Sequence, residues 1–191
     1  VSIAPDWISE RVPMIEAAAS VGSHIYCEKP VAGNLVEIDA IVNACSKGNI
    51  KMAVAHQWRA MPAIRQAIKD VISGKFGKLL RIWTRPKDDS RGGGEELLLH
   101  GTHLFDSVRI FGQDAEWVWS SVTMDGRDIT GDDLIWGDRK PTSQNEALAA
   151  GNRVSAVFSF KNGARGFFES GRLGGYSVEL SGTGGRILHS Q

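Results

Sequence analysis

The feature that most constrains this chain is the alternation written into its first 56 residues. Val1-Ser2-Ile3-Ala4 reads as the end of a buried strand. A helical stretch follows from about Ser9 to Val21, with the firm helix placed after Pro13, because proline inside a helix removes a hydrogen bond. Gly22 is a natural stop. His24-Ile25-Tyr26-Cys27 reads as a short strand with little polar relief, as in a sheet covered on both faces. Asn34 and Glu37 form a capping arrangement for a helix with Leu35, Ile38, Ile41, Val42 and Cys45 on its apolar side, ending at Gly48. Lys51 to Ala55 is the next strand. Strand, helix, strand, helix, strand predicts parallel strands joined by helical crossovers.

After residue 57 the pattern changes. Pro62 suits the first position of a helix running to Ser73, with Ile64, Ala67, Ile68, Val71 and Ile72 inward and Gly74 closing it. Leu79 to Arg85 reads as a strand, Leu97 to Phe111 as one helix ended by Gly112, and Glu116 to Met124 as a strand. Residues 125 to 150 are polar and Gly/Asp-rich, which predicts a long loop of functional type. Arg153 to Phe160 and Arg165 to Ser170 flank Asn162-Gly163, a hairpin signal. Tyr176 to Ser181 and Arg186 to His189 flank Gly184-Gly185. The second half therefore reads as an antiparallel sheet with helices. The expected architecture is α/β followed by α+β, with domains over residues 1–57 and 58–191. Alternating Val154, Ala156, Phe158 and Phe160 suit burial against helices or a partner sheet, and Trp117 with Trp119 lines one sheet face.

Composition excludes several function classes. The 191 residues are 42% hydrophobic and 23% charged, too apolar for a disordered chain. Twenty-two basic residues balance twenty-two acidic ones, so no global field draws the chain to nucleic acid or an acidic membrane. No apolar run reaches the ~18 residues of a membrane span. The two cysteines, Cys27 and Cys45, sit in apolar surroundings and read as reduced, buried thiols. No cysteine or histidine spacing suggests a zinc site. The sequence opens at Val1 with no legible targeting signal.

Two short stretches could carry chemistry. Glu28-Lys29-Pro30 stands at the carboxyl end of a predicted parallel strand, the edge where open α/β sheets bind ligands. A lysine there can donate to a hydroxyl or carbonyl oxygen and favour an alkoxide. Position alone favours a surface lysine in a turn. Gly101-Thr102-His103-Leu104-Phe105-Asp106 places His103 and Asp106 on one helix face. A histidine there suits proton abstraction from an alcohol; on its own it equally reads as a packing residue beside Leu97, Leu98, Leu104, Val108 and Phe111. Arg59, just past a strand, suits either a ligand contact or a domain-linking ion pair, and Trp83 and Trp136 are candidate sugar-stacking rings. His24 and His56 read as structural.

Taken in order, these motifs resemble the Gfo/Idh/MocA oxidoreductase family, named for glucose–fructose oxidoreductase, inositol dehydrogenase and a rhizopine-catabolism protein. Ala4-Pro5 resembles the end of the fourth strand of the family's Rossmann domain, and Cys27-Glu28-Lys29-Pro30 its Glu-Lys-Pro motif. Gln57-Trp58-Arg59 with Pro62 resembles its exit from the last strand, and Gly74-Lys75-Phe76-Gly77-Lys78 the turn before the second domain's first strand. Gly101-Thr102-His103 with Asp106 resembles its Gly-x-His-x-x-Asp helix. Val178 to Gly185 resembles a late strand and turn. The resemblance covers nearly the whole chain.

It implies a partial Rossmann domain, the parallel βαβαβ half, followed by an antiparallel open-sheet α+β domain for substrate and oligomerisation. It implies oxidation or reduction of a sugar, cyclitol or related hydroxyl with NAD or NADP, the cofactor supplying the hydride chemistry. By the same resemblance Lys29 and His103 are catalytic, His103 as base, and Ala4, Pro5, Glu28, Lys29, Pro30, Gln57 and Arg59 lie toward the cofactor. Arg85 to Glu96 resembles a subgroup with a Gly-Lys-Glu-Asp-x-Arg-Gly-Gly-Gly-Glu-Asp segment, which puts Lys87, Asp88, Arg91 and Glu95, with Asp106, toward substrate; a solvated charged loop fits that segment equally. A cytoplasmic homodimer or homotetramer with a carbohydrate-like substrate is the expected setting, with no nucleic-acid or membrane partner.

Departures stand beside the resemblance. Leu99 occupies the place, four before the histidine, where many members carry aspartate. Ala4 and Ser9 stand where threonine and histidine are common. No Gly-x-Gly-x-x-Gly fingerprint for pyrophosphate precedes Val1, so the expectation is a fragment, lacking the first βαβ half and the family's C-terminal end, that binds the cofactor weakly and is inactive alone. Two other readings remain open: a non-catalytic relative binding a sugar or protein, and a member that retains NAD for elimination or glycoside hydrolysis.

Overall fold

The computed structural model describes residues 1–87, 93–136, 148–171 and 174–190. They divide into two compact units, Val1–Ala55 with Ile135–Ala149, and His56–Leu134 with Ala150–Gln191.

The first unit is built on β1 (Ser2–Ile3), α1 (Arg11–Ser20), β2 (Ile25–Cys27), α2 (Leu35–Lys47) and β3 (Met52–Val54). The strands pair in parallel in the order β1-β2-β3, as the alternation predicts. Helix α1 begins earlier than the sequence suggests. Pro13 is its third residue, inside the first turn, where the amides have no intrahelical acceptor and a missing N–H costs nothing. Asn34 caps α2 by accepting from the Glu37 amide at 3.0 Å. Glu37 reaches back to the Gly33 amide at 2.8 Å and the Asn34 side-chain amide at 2.9 Å. Gly48 does not end the helix through a left-handed turn, a role taken by Asn49 at φ 49°. A Cβ at Gly48 would strike the Ala19 carbonyl, so its lack of a side chain lets α2 approach α1.

The core of this unit joins Ile3, Ile15, Ala18, Ile25, Cys27 and Ile41. Two expectations fail. Leu35 and Val42 are exposed rather than inward, and β2 is not covered on both faces, since Tyr26 is half-exposed between buried Ile25 and Cys27. Burial on one face alone produces that alternation.

The second unit opens with a 3-10 turn, Gln57–Ala60, and α3 (Pro62–Ile72), with Pro62 at its first position and Ile72 turned to solvent instead of inward. Then come β4 (Leu79–Arg85), α4 (Gly94–Leu99), α5 (Gly101–Gly112), β5 (Ala115–Met124) and β6 (Arg127–Asp128). The segment expected as a long loop carries a short 3-10 turn at Gly131–Asp133 and a two-stranded pair, β7 (Ile135–Trp136) with β8 (Leu148–Ala149), which groups with the first unit. The chain ends in β9 (Arg153–Phe160), β10 (Arg165–Ser170), β11 (Ser177–Gly182) and β12 (Gly185–Ser190). Asn162-Gly163 turns the β9–β10 hairpin as expected, Gly163 at φ 83°.

The seven strands order as β12-β11-β4-β10-β9-β5-β6. The sheet is mixed, because β4 and β10 run parallel while every other pair is antiparallel. Parallel neighbours need a long crossover, and the helices and strands between Arg85 and Arg165 provide it. One face packs Ile82, Val154, Ala156, Phe160, Phe168, Val178 and Leu180 against Ile64, Ala67, Leu104, Val108 and Phe111. Val154, Ala156 and Phe160 thus face helices. The single helix expected from Leu97 to Phe111 is two, broken at His100.

Candidate functional site

In the first unit the sequence candidates gather where strands β1 and β2 end. Ala4-Pro5 leaves β1, and Glu28-Lys29-Pro30 leaves β2 through a cis Lys29–Pro30 bond. The Glu28 amide still donates to Ile3 at 2.8 Å, and the Ala55 amide donates to Cys27 at 2.8 Å, so the sheet ladder runs up to the motif and stops there. The Lys29 amide donates to its neighbour Glu28 Oε2 at 3.0 Å. Lys29 is partly exposed.

Arg11 organises this edge, and the sequence reading passed over it. It is 4% exposed. Its Nη2 donates to the Pro5 carbonyl at 3.0 Å, and its Nη1 to the carbonyls of Glu28, at 3.4 Å, and Pro30. A guanidinium offers five donors in a rigid fork and no acceptor, which suits a cluster of carbonyls left over where strands end. A signal was present: a cation at the first position of a helix opposes the macrodipole, so Arg11 needs another reason to stand there. Its charge also acts on Cys27, whose thiol burial pushes up and Arg11 pulls back down.

In the second unit His103 sits on α5 and is 3% exposed. Its ring meets His56 edge-on at 5.6 Å, its amide donates to the His100 carbonyl at 3.1 Å, and its carbonyl accepts from Ser107 Oγ at 2.9 Å. Asp106 turns to Arg59 in a two-pronged pair, 2.8 Å to Nε and 2.6 Å to Nη2. That pairing raises the Arg59 pKa through the hydrogen bond first. Arg59 and Asp106, assigned to cofactor and substrate by resemblance, here hold each other. Gln57 is exposed on the same 3-10 turn.

A second carboxylate–histidine pair was not read from the sequence. Glu96 is fully buried and accepts from His100 Nδ1 through both oxygens, at 2.9 and 3.0 Å. The four-residue spacing that puts Leu99 before His103 puts Glu96 before His100. Leu99 itself is 3% exposed. Tyr176 lies edge-on to His100 at 5.8 Å and tilted on Trp58 at 4.5 Å. Burial, and then the Glu96 charge, hold its hydroxyl protonated well above the usual tyrosine range.

Of the charged segment, Lys87 is exposed at the end of β4. Asp88, Arg91 and the Glu95 side chain lie outside the described residues, as does the Trp136 side chain. The described glycines of the run serve backbone approach. A Cβ on Gly93 would meet Gly151 and Asn152, and one on Gly94 would meet Ala150. Trp83 lies on the sheet face away from the helices, between the Arg81 and Arg85 guanidiniums at 5.1 and 5.2 Å. Among the described residues no group of three or more His, Cys, Asp or Glu side chains is placed to hold a metal ion, and no helix is long and apolar enough to cross a membrane.

Comparison with known proteins finds chains that this one is similar to. No family model matches the chain. It is 27% identical over 189 residues to a myo-inositol 2-dehydrogenase from Thermotoga maritima, covering 92% of this chain and 52% of that protein. It is 26% identical over 200 residues to a levoglucosan dehydrogenase from Pseudarthrobacter phenanthrenivorans, covering 90% and 50%. A solved levoglucosan dehydrogenase, in complex with NADH and levoglucosan, superposes with a TM-score of 0.75 at 25% identity over all of this chain and 53% of that one. The chain spans about half the length of the curated relatives it matches.

Proposed function

We propose that this chain, whose homologues are oxidoreductases of the Gfo/Idh/MocA type, belongs to a protein that oxidises or reduces a sugar, cyclitol or related hydroxyl with NAD or NADP. The observation that carries the reading is the placement of Lys29. It stands on a backbone held from several sides, at the carboxyl end of a parallel strand, in a chain similar to sugar and cyclitol dehydrogenases. That edge fits the nicotinamide end of the cofactor, because it offers one cation on a fixed backbone and carbonyls already satisfied by Arg11. The nicotinamide, when bound, supplies the hydride acceptor or donor. Residues 1–57 serve the cofactor, with Ala4, Pro5, Glu28, Lys29, Pro30 and Gln57, and Arg59 just beyond them, toward it, and the rest of residues 58–191 serves substrate and oligomerisation.

In the oxidative direction, Lys29 donates to the substrate oxygen and favours its alkoxide, while His103 takes the hydroxyl proton. Lys87, Asp88, Arg91, Glu95 and Asp106 are the proposed substrate-side residues. The proposed setting is a cytoplasmic homodimer or homotetramer. The exposed Trp117 and Trp119, at 49% and 59%, support the open sheet face as the contact between copies.

A non-catalytic sugar- or partner-binding protein is the second reading, favoured by the buried Leu99 where a carboxylate would partner His103. The full-length protein separates the two. NAD or NADP at a hundred times its Kd should stabilise it by about 2.7 kcal/mol in thermal unfolding, and a panel of polyols should change nicotinamide absorbance. A melting temperature unmoved by both cofactors would sink the redox reading.

A further inference from the structure

The backbone around Lys29 is fixed by a side chain from elsewhere in the first unit. The carbonyls of Glu28 and Pro30 flank Lys29 on either side, and both accept from Arg11 Nη1. The Pro5 carbonyl, at the end of the neighbouring strand, accepts from Nη2 at 3.0 Å. One buried guanidinium therefore ties the exits of β1 and β2 together and brackets a single residue. Strand pairing cannot do this. β1 has two residues and β2 three, and the ladder bonds end at Glu28 and at Cys27.

Burying a cation at 4% exposure is costly unless it is bonded. An apolar residue at position 11 would leave the Pro5, Glu28 and Pro30 carbonyls without this donor. The fork serves carbonyls at the edge where the candidate lysine sits.

We propose that Arg11 is a positioning residue for Lys29: its guanidinium holds the Glu28 and Pro30 carbonyls and thereby fixes the direction in which the lysine leaves the sheet. Arg11 touches neither substrate nor cofactor and acts through Lys29. Lysine at position 11 cannot replace it, because a point ammonium on a flexible stem does not reproduce a planar fork reaching three carbonyls. The kinetic consequence rests on the oxidoreductase reading; the structural consequence does not.

The test uses full-length protein, with Arg11→Lys and the milder Arg11→Gln. Amide hydrogen exchange reads the structural arm. The Lys29 amide should exchange about tenfold faster or more in both variants, while the Glu28 and Ala55 amides, bonded within the ladder, keep their protection. Lys29 exchanging at the wild-type rate would overturn the proposal. Loss of ladder protection in both variants would also overturn it, since Arg11 would then be a determinant of the fold. The kinetic arm is a double-mutant cycle with Lys29→Ala. Arg11→Lys should lower kcat about a hundredfold in the wild-type background and change it less than about twofold beside Lys29→Ala. An equal loss in both backgrounds would show action independent of Lys29 and would reject the proposal. A wild-type protein with faster Lys29 exchange in its variants but no nicotinamide-dependent turnover would reject the oxidoreductase reading and leave the positioning role intact.

Discussion

The two units solve one problem, holding a polar edge in place beside an apolar core, by different means. The second unit has strands of six to ten residues at its centre, β4, β5, β9 and β10 among them. Long ladders fix its backbone, and a continuous core of aromatic and branched residues lies beneath. The first unit has strands of two and three residues and a small core on one face. Its ladders end where the candidate site begins, and a buried side chain takes over. Geometry is carried by the backbone in one unit and by Arg11 in the other. A large sheet can therefore hold charged and aromatic groups on its open face, as in the Arg81–Trp83–Arg85 stack, without those groups being needed for its shape.

The largest expected effects test whether the cores differ as described. Phe168 is fully buried and packs on Phe105 at 4.9 Å between centroids. Phe168→Ala should cost about 3–5 kcal/mol in denaturant unfolding. Ile15, also fully buried, anchors the smaller core, and Ile15→Ala should cost about 2–4 kcal/mol. A larger loss for Ile15 than for Phe168 would reverse the comparison and make the first unit the more cooperative of the two. A smaller effect sharpens it at the entry to α2. Asn34→Ala removes the acceptor for the Glu37 amide and should cost about 1 kcal/mol. Asn34→Gly should cost only a few tenths, and equal losses from both would mean the cap bond contributes nothing.

Much of both units is legible in the sequence, for an identifiable reason. Pattern reading works where the signal is local and repeated. Gly163 in its turn, Pro62 at a helix start and the Asn34 cap all act within a few residues. It fails where one residue answers to a distant backbone. The Arg11 bonds span up to nineteen residues, and nothing periodic announces them. The parallel pairing of β4 with β10 is hidden for the same reason, since strand type shows in sequence but partner choice over eighty residues does not. The break at His100 escapes because Leu97, Leu104, Val108 and Phe111 keep helical spacing across it, and the Glu96–His100 pair has a spacing that also suits an unbroken helix. Leu35, Val42 and Ile72 fit an inward spacing yet are exposed, because apolar spacing identifies a face without saying how wide the covered stripe is. As to the candidate site, motif likeness proposes Lys29 and His103, whereas the contacts around them, Arg11 for one and the His56 ring for the other, come only from the fold.

The smallest effect probes the open face of the second unit through Glu179. It lies on β11, opposite Trp83 on β4 and Leu188 on β12, and accepts from Arg81 at 2.8 Å and from Arg186. Burial pushes its carboxyl up, but the two guanidiniums outweigh that and leave the pKa below the usual glutamate range. A carboxylate with a depressed folded-state pKa contributes stability that is fully present above the unfolded value, about 4.3. That contribution is lost as pH falls through the folded value. Wild type should therefore exceed Glu179→Gln by a constant margin of about 1 kcal/mol or less at neutral pH, and the margin should shrink below about pH 4. Urea midpoints for the two proteins, taken at steps from neutral to acid pH, measure it. Parallel profiles would mean that the ion pairs on this face are held by the sheet and give nothing back to it, which is the limiting form of the contrast with Arg11.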